Sequence, residues 1–256
     1  MTATAARRAF SEFGDRRNPP IVFLHGIRLG RGTWAQHARA LASRFHVITV
    51  DLPGHGALVG ERFSRESFGE LFGTILDEAC ERPPLIVGYS LGGYVAMEFA
   101  AAHPERTHGL ALLGCTLDMH GWKHWPPELG AHLARFMPPQ VVNSMIRSTV
   151  YMTLPPALAS VVNEIPFNYN ILTETTALTR ETRFLERIAG YRKPVLIANG
   201  ELDLVFRMDE RRFLKRLPQA QLRLIERADH TAPMSHAREL TQIVDDFATR
   251  AFSSAG

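Results

Sequence analysis

The chain has 256 residues, with 29 Lys and Arg against 26 Asp and Glu, 45% hydrophobic and 21% charged residues. A formal charge of +3 gives no strong pull toward nucleic acid or anionic lipid, and two cysteines, Cys80 and Cys115, are too few for a disulfide framework or a zinc cluster. No apolar run reaches the roughly 18–20 residues of a membrane span and the start lacks the apolar stretch of a secretory signal, so the expectation is a cytoplasmic protein with one core and no membrane insertion.

Short β-rich apolar runs alternate with amphipathic segments along the chain. The first run, Ile21–Leu24, leads into His25-Gly26-Ile27, and Thr33 is placed to cap a helix through Ser43. Run His46–Val50 leads into the glycine-rich Asp51-Leu52-Pro53-Gly54-His55-Gly56, which lacks the Lys-Ser/Thr of a phosphate loop and reads as a turn organiser. Between Ser64 and Cys80, Phe68, Leu71, Phe72, Ile75, Leu76 and Ala79 form a stripe of period 3.6, and Ser67 with Glu70 has capping-box spacing. Leu85–Val87 precedes a helical pattern over Leu91–His103, and the runs Leu110–Leu113, Pro194–Ala198 and Leu222–Ile225 follow. Leu240, Ile243, Val244 and Phe247 make a last helical stripe. Continuous apolar strands separated by helices predict an α/β fold with a doubly wound, mostly parallel sheet.

Residues 116–187 break this rhythm. They hold no convincing strand, and prolines divide them into short helical pieces rich in Trp, Met, Phe and Tyr. The reading is a helical cap over 116–187, inserted into a core domain of 1–115 and 188–256.

The sharpest local signal is Gly88-Tyr89-Ser90-Leu91-Gly92, between a strand pattern and a helical one. Such a strand-to-helix turn lifts a serine hydroxyl off the sheet at a helix N-terminus. A serine needs a base in reach, and the base an orienting acid. His230 after the last run is the candidate base, with His236 a weaker competitor. Asp203 after Pro194–Ala198 is the candidate acid; Glu201 stands close to the strand end, and Asp118 is a second position. Backbone N–H groups of Ile27 and Leu91 are the candidate oxyanion donors, and His25 is read as shaping its loop rather than as a base. Tyr89, Trp122, Trp125, Met137, Met145 and Phe167 are expected to contact substrate, the last five from soft cap walls suited to an apolar or aromatic group.

The set LHG, DLPGHG, GYSLGG, NGELD and ADH, in this order, resembles the α/β-hydrolase superfamily, from Ile21 to the C-terminal helix with the cap as interruption. The resemblance implies a triad Ser90–Asp203–His230, an oxyanion hole from Ile27 and Leu91, a cap over the pocket, and no cofactor or metal. The short stretch before His25 implies that one or both of the superfamily's first antiparallel strands are missing or short. Serine at the elbow disfavours dehalogenase and epoxide-hydrolase chemistry, which use aspartate there. Hydrolysis of carboxylic esters, or of related acyl compounds such as lactones, is the broadest reading, with a small molecule as partner. Carbon–carbon bond hydrolysis, a menaquinone-pathway-like lyase and a ligand receptor on the same scaffold are the alternatives. Tyr94 stands where that lyase branch has arginine, which argues against it. An apolar cap is compatible with a homodimer or with simple closure.

Overall fold

The computed structural model describes residues 3–120, 133, 136–153, 156–165 and 170–253. Seven strands form one sheet: β1 Phe10–Phe13, β2 Pro20–Leu24, β3 His46–Val50, β4 Leu85–Tyr89, β5 Gly109–Leu113, β6 Val195–Gly200 and β7 Ala220–Ile225. Their order is β1-β3-β2-β4-β5-β6-β7. β1 runs antiparallel to β3 and every other pairing is parallel. One antiparallel strand of four residues therefore precedes the parallel set.

Strands β2 to β6 are buried along their whole length, as continuous apolar runs require when helices cover both faces. The pleat sends alternate residues to opposite cores. Val22, Leu24, Ile48, Ile86 and Leu112 join a cluster with Phe68, Leu71, Phe72, Val95 and Phe99 of the helices Arg65–Ala79 and Leu91–Ala102. Ile21, Phe23, Val47, Val87 and Ala111 join the opposite cluster, with Trp34, Ala38, Leu240, Val244 and Phe247. Each such Leu, Ile or Phe contributes roughly 1.5–3 kcal/mol by leaving water. The run Leu222–Ile225 differs: β7 is an edge strand, and Leu224 stays 42% exposed.

Two helix starts depart from the sequence reading. Ser64, not Ser67, caps Arg65–Ala79: Ser67 N–H donates to Ser64 Oγ at 3.0 Å, and Ser64 N–H donates to Ser67 Oγ at 2.9 Å. Serine replaces the usual acidic partner, so the box closes one turn earlier. Thr33 caps nothing; it lies inside a 3₁₀ turn, Arg31–Trp34, and the α-helix covers only Ala35–Leu41.

The segment between β5 and β6 is the cap region. Its described helices are Pro139–Thr153, Pro156–Glu164, Ile171–Glu181 and Phe184–Ile188. The last is docked on the core: Phe184 meets Tyr94 with ring centroids 4.7 Å apart, and Glu98 pairs with Arg65 at 3.2 Å and Arg187 at 3.3 Å. No described helix is long and apolar enough to cross a membrane. The parallel strands point the same way, so Leu24, Val50, Tyr89, Leu113, Gly200 and Ile225 bring their following loops to one edge, where sites gather in open α/β sheets.

Candidate active site

Ser90 follows β4 directly, at φ 51° and ψ −116°. A non-glycine residue there costs on the order of 1–3 kcal/mol, so its surroundings must hold it. Ser90 N–H donates to Leu113 O on β5 at 2.8 Å, and Gly93 N–H returns to Ser90 O at 2.9 Å. The turn is so close that a Cβ on Gly88 would sit 2.5 Å from Gly92 O. Strain, glycine and hydrogen bonds together aim the hydroxyl out from the sheet edge.

His230 comes from the turn after β7 and Asp203 from the turn after β6. Ser90 Oγ–H donates to His230 Nε2 at 3.1 Å, and His230 Nδ1–H donates to Asp203 Oδ2 at 2.7 Å. A carboxylate only accepts, so the bond to Asp203 leaves the Nε2 lone pair facing the hydroxyl. Gly114, at φ 55°, is the floor beneath: a Cβ there would lie 3.0 Å from the His230 ring. The Phe206 ring stacks on His230 at 4.0 Å, and Phe206 N–H donates to the other oxygen of Asp203, Oδ1, at 3.4 Å.

The competing residues are not the partners that the His230 ring takes, which are Asp203 and Ser90. Glu201 accepts the Arg227 N–H at 3.1 Å. Asp118 donates its backbone N–H to Asp209 at 3.0 Å, and the His236 ring bonds Ser235 Oγ at 2.9 Å. Burial pushes the thiol of Cys115 up, so this residue beside Gly93 stays a protonated thiol.

The hydroxyl of Ser90 opens on a cavity of about 400 Å³. Ile27 and Leu91 line it, and neither backbone N–H has a partner among the described residues. Leu91 is the first residue of its helix, where an amide has no intrahelical acceptor. Met119, Tyr94, Phe206 and one face of the helix Ile171–Glu181, formed by Leu172, Thr175, Thr176 and Thr179, make up the rest of the described wall. No described lining residue carries a charge. The hydroxyls of Thr175, Thr176 and Tyr94 donate to Ile171 O, Leu172 O and Leu117 O, so they turn acceptor oxygen and methyl or ring to the cavity.

The expected substrate contacts fare differently. Tyr89 does not line the cavity: it is buried beneath His230 and its hydroxyl donates to His230 O at 2.8 Å, so its place is support. Met137 is half-buried and Met145 is 56% exposed, and neither is among the described lining residues. Trp122, Trp125 and Phe167 lie outside the described residues. The threonine face was missed, although positions 172, 175, 176 and 179 share one side of a helix by spacing alone.

The model of the alpha/beta hydrolase family matches residues 21–243. A pimeloyl-[acyl-carrier protein] methyl ester esterase of Aeromonas hydrophila is 29% identical over 253 residues, covering 90% of this chain and 96% of that one. A thermophilic esterase of Thermogutta terrifontis superposes with a TM-score of 0.78 at 19% identity, over 95% of this chain and 93% of that chain. A carboxylesterase structure from Nitrososphaera gargenis reaches 0.80 at 16% identity, over 96% and 95%. At such identities the two structures speak to the fold alone.

Proposed function

The chain belongs to the alpha/beta hydrolase family as an esterase-type enzyme, and on that premise we propose that it cleaves neutral carboxylic esters through an acyl-enzyme on Ser90. The observation that carries this reading is the hydrogen-bonded line Asp203–His230–Ser90 ending in a cavity whose described lining residues carry no charge. As Ser90 Oγ attacks the ester carbonyl, its proton passes to His230 Nε2. The imidazolium is held by Asp203, and the oxyanion takes hydrogen bonds from the N–H groups of Ile27 and Leu91. Collapse breaks the bond to the alcohol, which leaves with the proton from His230. Water then gives a proton to the same nitrogen and attacks the acyl group; the bond to Ser90 Oγ breaks, that oxygen takes the proton back from His230, and the acid leaves.

The absence of charge among the described wall residues supports an ester over the acidic substrates of carbon–carbon hydrolases and of the lyase branch, which need a cation to offset a buried carboxylate. Within neutral esters we favour a methyl ester at the end of an extended acyl chain, the kind named for the Aeromonas relative. Lactones and compact aromatic esters remain within the same chemistry.

The test is a panel of methyl and p-nitrophenyl esters, lactones and thioesters, run beside Ser90→Ala and with a fluorophosphonate label. Multiple turnover that vanishes in Ser90→Ala, with the label on Ser90, is the expected result. A folded protein that binds panel members tightly without turning them over would identify a receptor instead.

A further inference from the structure

We propose that His25 and His55 are positioning residues that together hold the Ile27 amide in place as an oxyanion donor, by pinning the peptide groups on both sides of it. The inference rests on the hydrolytic reading above, and it assigns work to two buried rings that the triad does not use.

His25 follows β2 and His55 lies in the loop after β3; both are fully buried and meet edge-on, with ring centroids 4.9 Å apart. His25 Nδ1–H donates to Gly26 O at 2.7 Å. That oxygen and the Ile27 N–H belong to one peptide group. A hydrogen bond on the oxygen therefore fixes the plane in which the N–H points, and it draws electron density away from the nitrogen. The next peptide is held from the other loop, where Arg28 N–H donates to His55 Nε2 at 3.0 Å. Arg28 stands at φ 65°, a left-handed conformation that a long side chain does not favour, so an outside partner is needed to keep it.

The arrangement is reciprocal. His25 Nε2 accepts the Leu52 N–H of the second loop at 3.1 Å, and His55 Nδ1–H donates to Pro53 O at 3.0 Å. Carbonyls accept and amides donate, so all four bonds require both rings to be neutral with the proton on Nδ1. Burial keeps them so, lowering His25 to about 4 and His55 to about 3, the latter helped by the neighbouring ring. Neither ring is among the described residues lining the cavity, so both act through the backbone.

The two nitrogens of each ring can be replaced one at a time, because an Asn amide stands near the Nδ1 position and a Gln amide near Nε2. At position 25 the Nδ1 bond holds the oxyanion peptide, so His25→Asn should stay near wild-type kcat while His25→Gln falls about tenfold or more. At position 55 the Nε2 bond matters, so the order reverses: His55→Gln stays near wild type and His55→Asn falls. KM should move little, and affinity for an alkylboronic acid, which mimics the tetrahedral intermediate, should fall in step with kcat.

The crossed order upholds the proposal. Equal losses for Asn and Gln at either position, losses that follow only the folded fraction, or four variants matching wild type would overturn it. Wild-type turnover that Ser90→Ala abolishes keeps the hydrolytic reading standing in those cases. A wild-type protein without ester turnover ends both.

Discussion

Phe206 lies flat against the imidazole of His230, with ring centroids 4.0 Å apart and planes 13° from parallel. The same residue lines the cavity, donates its N–H to Asp203 Oδ1, and accepts the Thr116 hydroxyl at its carbonyl at 2.8 Å. The stack covers one face of the ring that, in the proposed mechanism, carries positive charge in the transition state. An aromatic face beside a cation contributes about 0.5–1 kcal/mol at a partly exposed site. Phe206→Leu should therefore lower kcat two- to fivefold, an order-of-magnitude expectation, while Phe206→Tyr retains it. Steady-state kinetics check this, and a change confined to KM would make Phe206 a plain wall residue.

The acid is tested by two asparagines. Asp203→Asn removes the acceptor that sets the tautomer of His230 and should cost roughly 10⁴ in kcat. Asp118→Asn should leave kcat near wild type, since Asp203 Oδ2 is the carboxylate oxygen on His230 Nδ1. The opposite pattern in single-turnover rates would move the orienting role to Asp118.

Much of this site could be read in the sequence because backbone geometry imposes it. A turn as tight as the one at Ser90 needs glycine at 88, and loops that follow parallel strands must gather at one edge, so Ser90, Asp203 and His230 were identifiable from order and punctuation. The cavity wall is different. It is set by how cap helices lie on the core, and that depends on side-chain packing at long sequence separation. Counting aromatic and Met residues therefore favoured Met145, which faces outward, over Thr175 and Thr179, which face Ser90 across the cavity. Tyr89 shows the same limit at short range: adjacency to Ser90 placed it near the chemistry, but the pleat turned its ring to the opposite side of the sheet edge.

The described wall residues, none of them charged, make a selectivity prediction. Moving a carboxylate into an apolar cavity without a partner costs several kcal/mol or neutralises the group. A methyl ester with a neutral acyl tail should thus exceed its matched ω-carboxylate analogue in kcat/KM by at least about tenfold, an estimate from that desolvation cost. Leu172→Arg, at the described wall, should narrow or invert the ratio. Competition between the two substrates in one vessel reads it directly.

Buried neutral histidines also set how stability depends on pH. Burial is the largest cause of the lowering at His25, His37 and His55, with His25 falling to about 4 and His55 to about 3. In the unfolded chain each takes a proton near 6.5, whereas the folded protein does not bind it until far lower. Between those limits the unfolded state holds more protons, so stability is complete above about pH 6.5 and is lost as pH falls toward about 4 for His25 and about 3 for His55. His25 and His55 each contribute on the order of 3 kcal/mol or more across their windows, and His37 adds in the same direction. The carboxylate of Asp15, held at about 2 by its hydrogen bonds from Arg17, has the same sign but acts only below its ordinary value of 3.8, at the lower end of the histidine window. Urea midpoints should hold steady from about pH 8 to 6.5 and then decline through about pH 4.5. His25→Asn and His55→Gln should each flatten that decline, because an amide takes up no proton in either state. An unchanged slope in both variants would show that the loss comes from other groups.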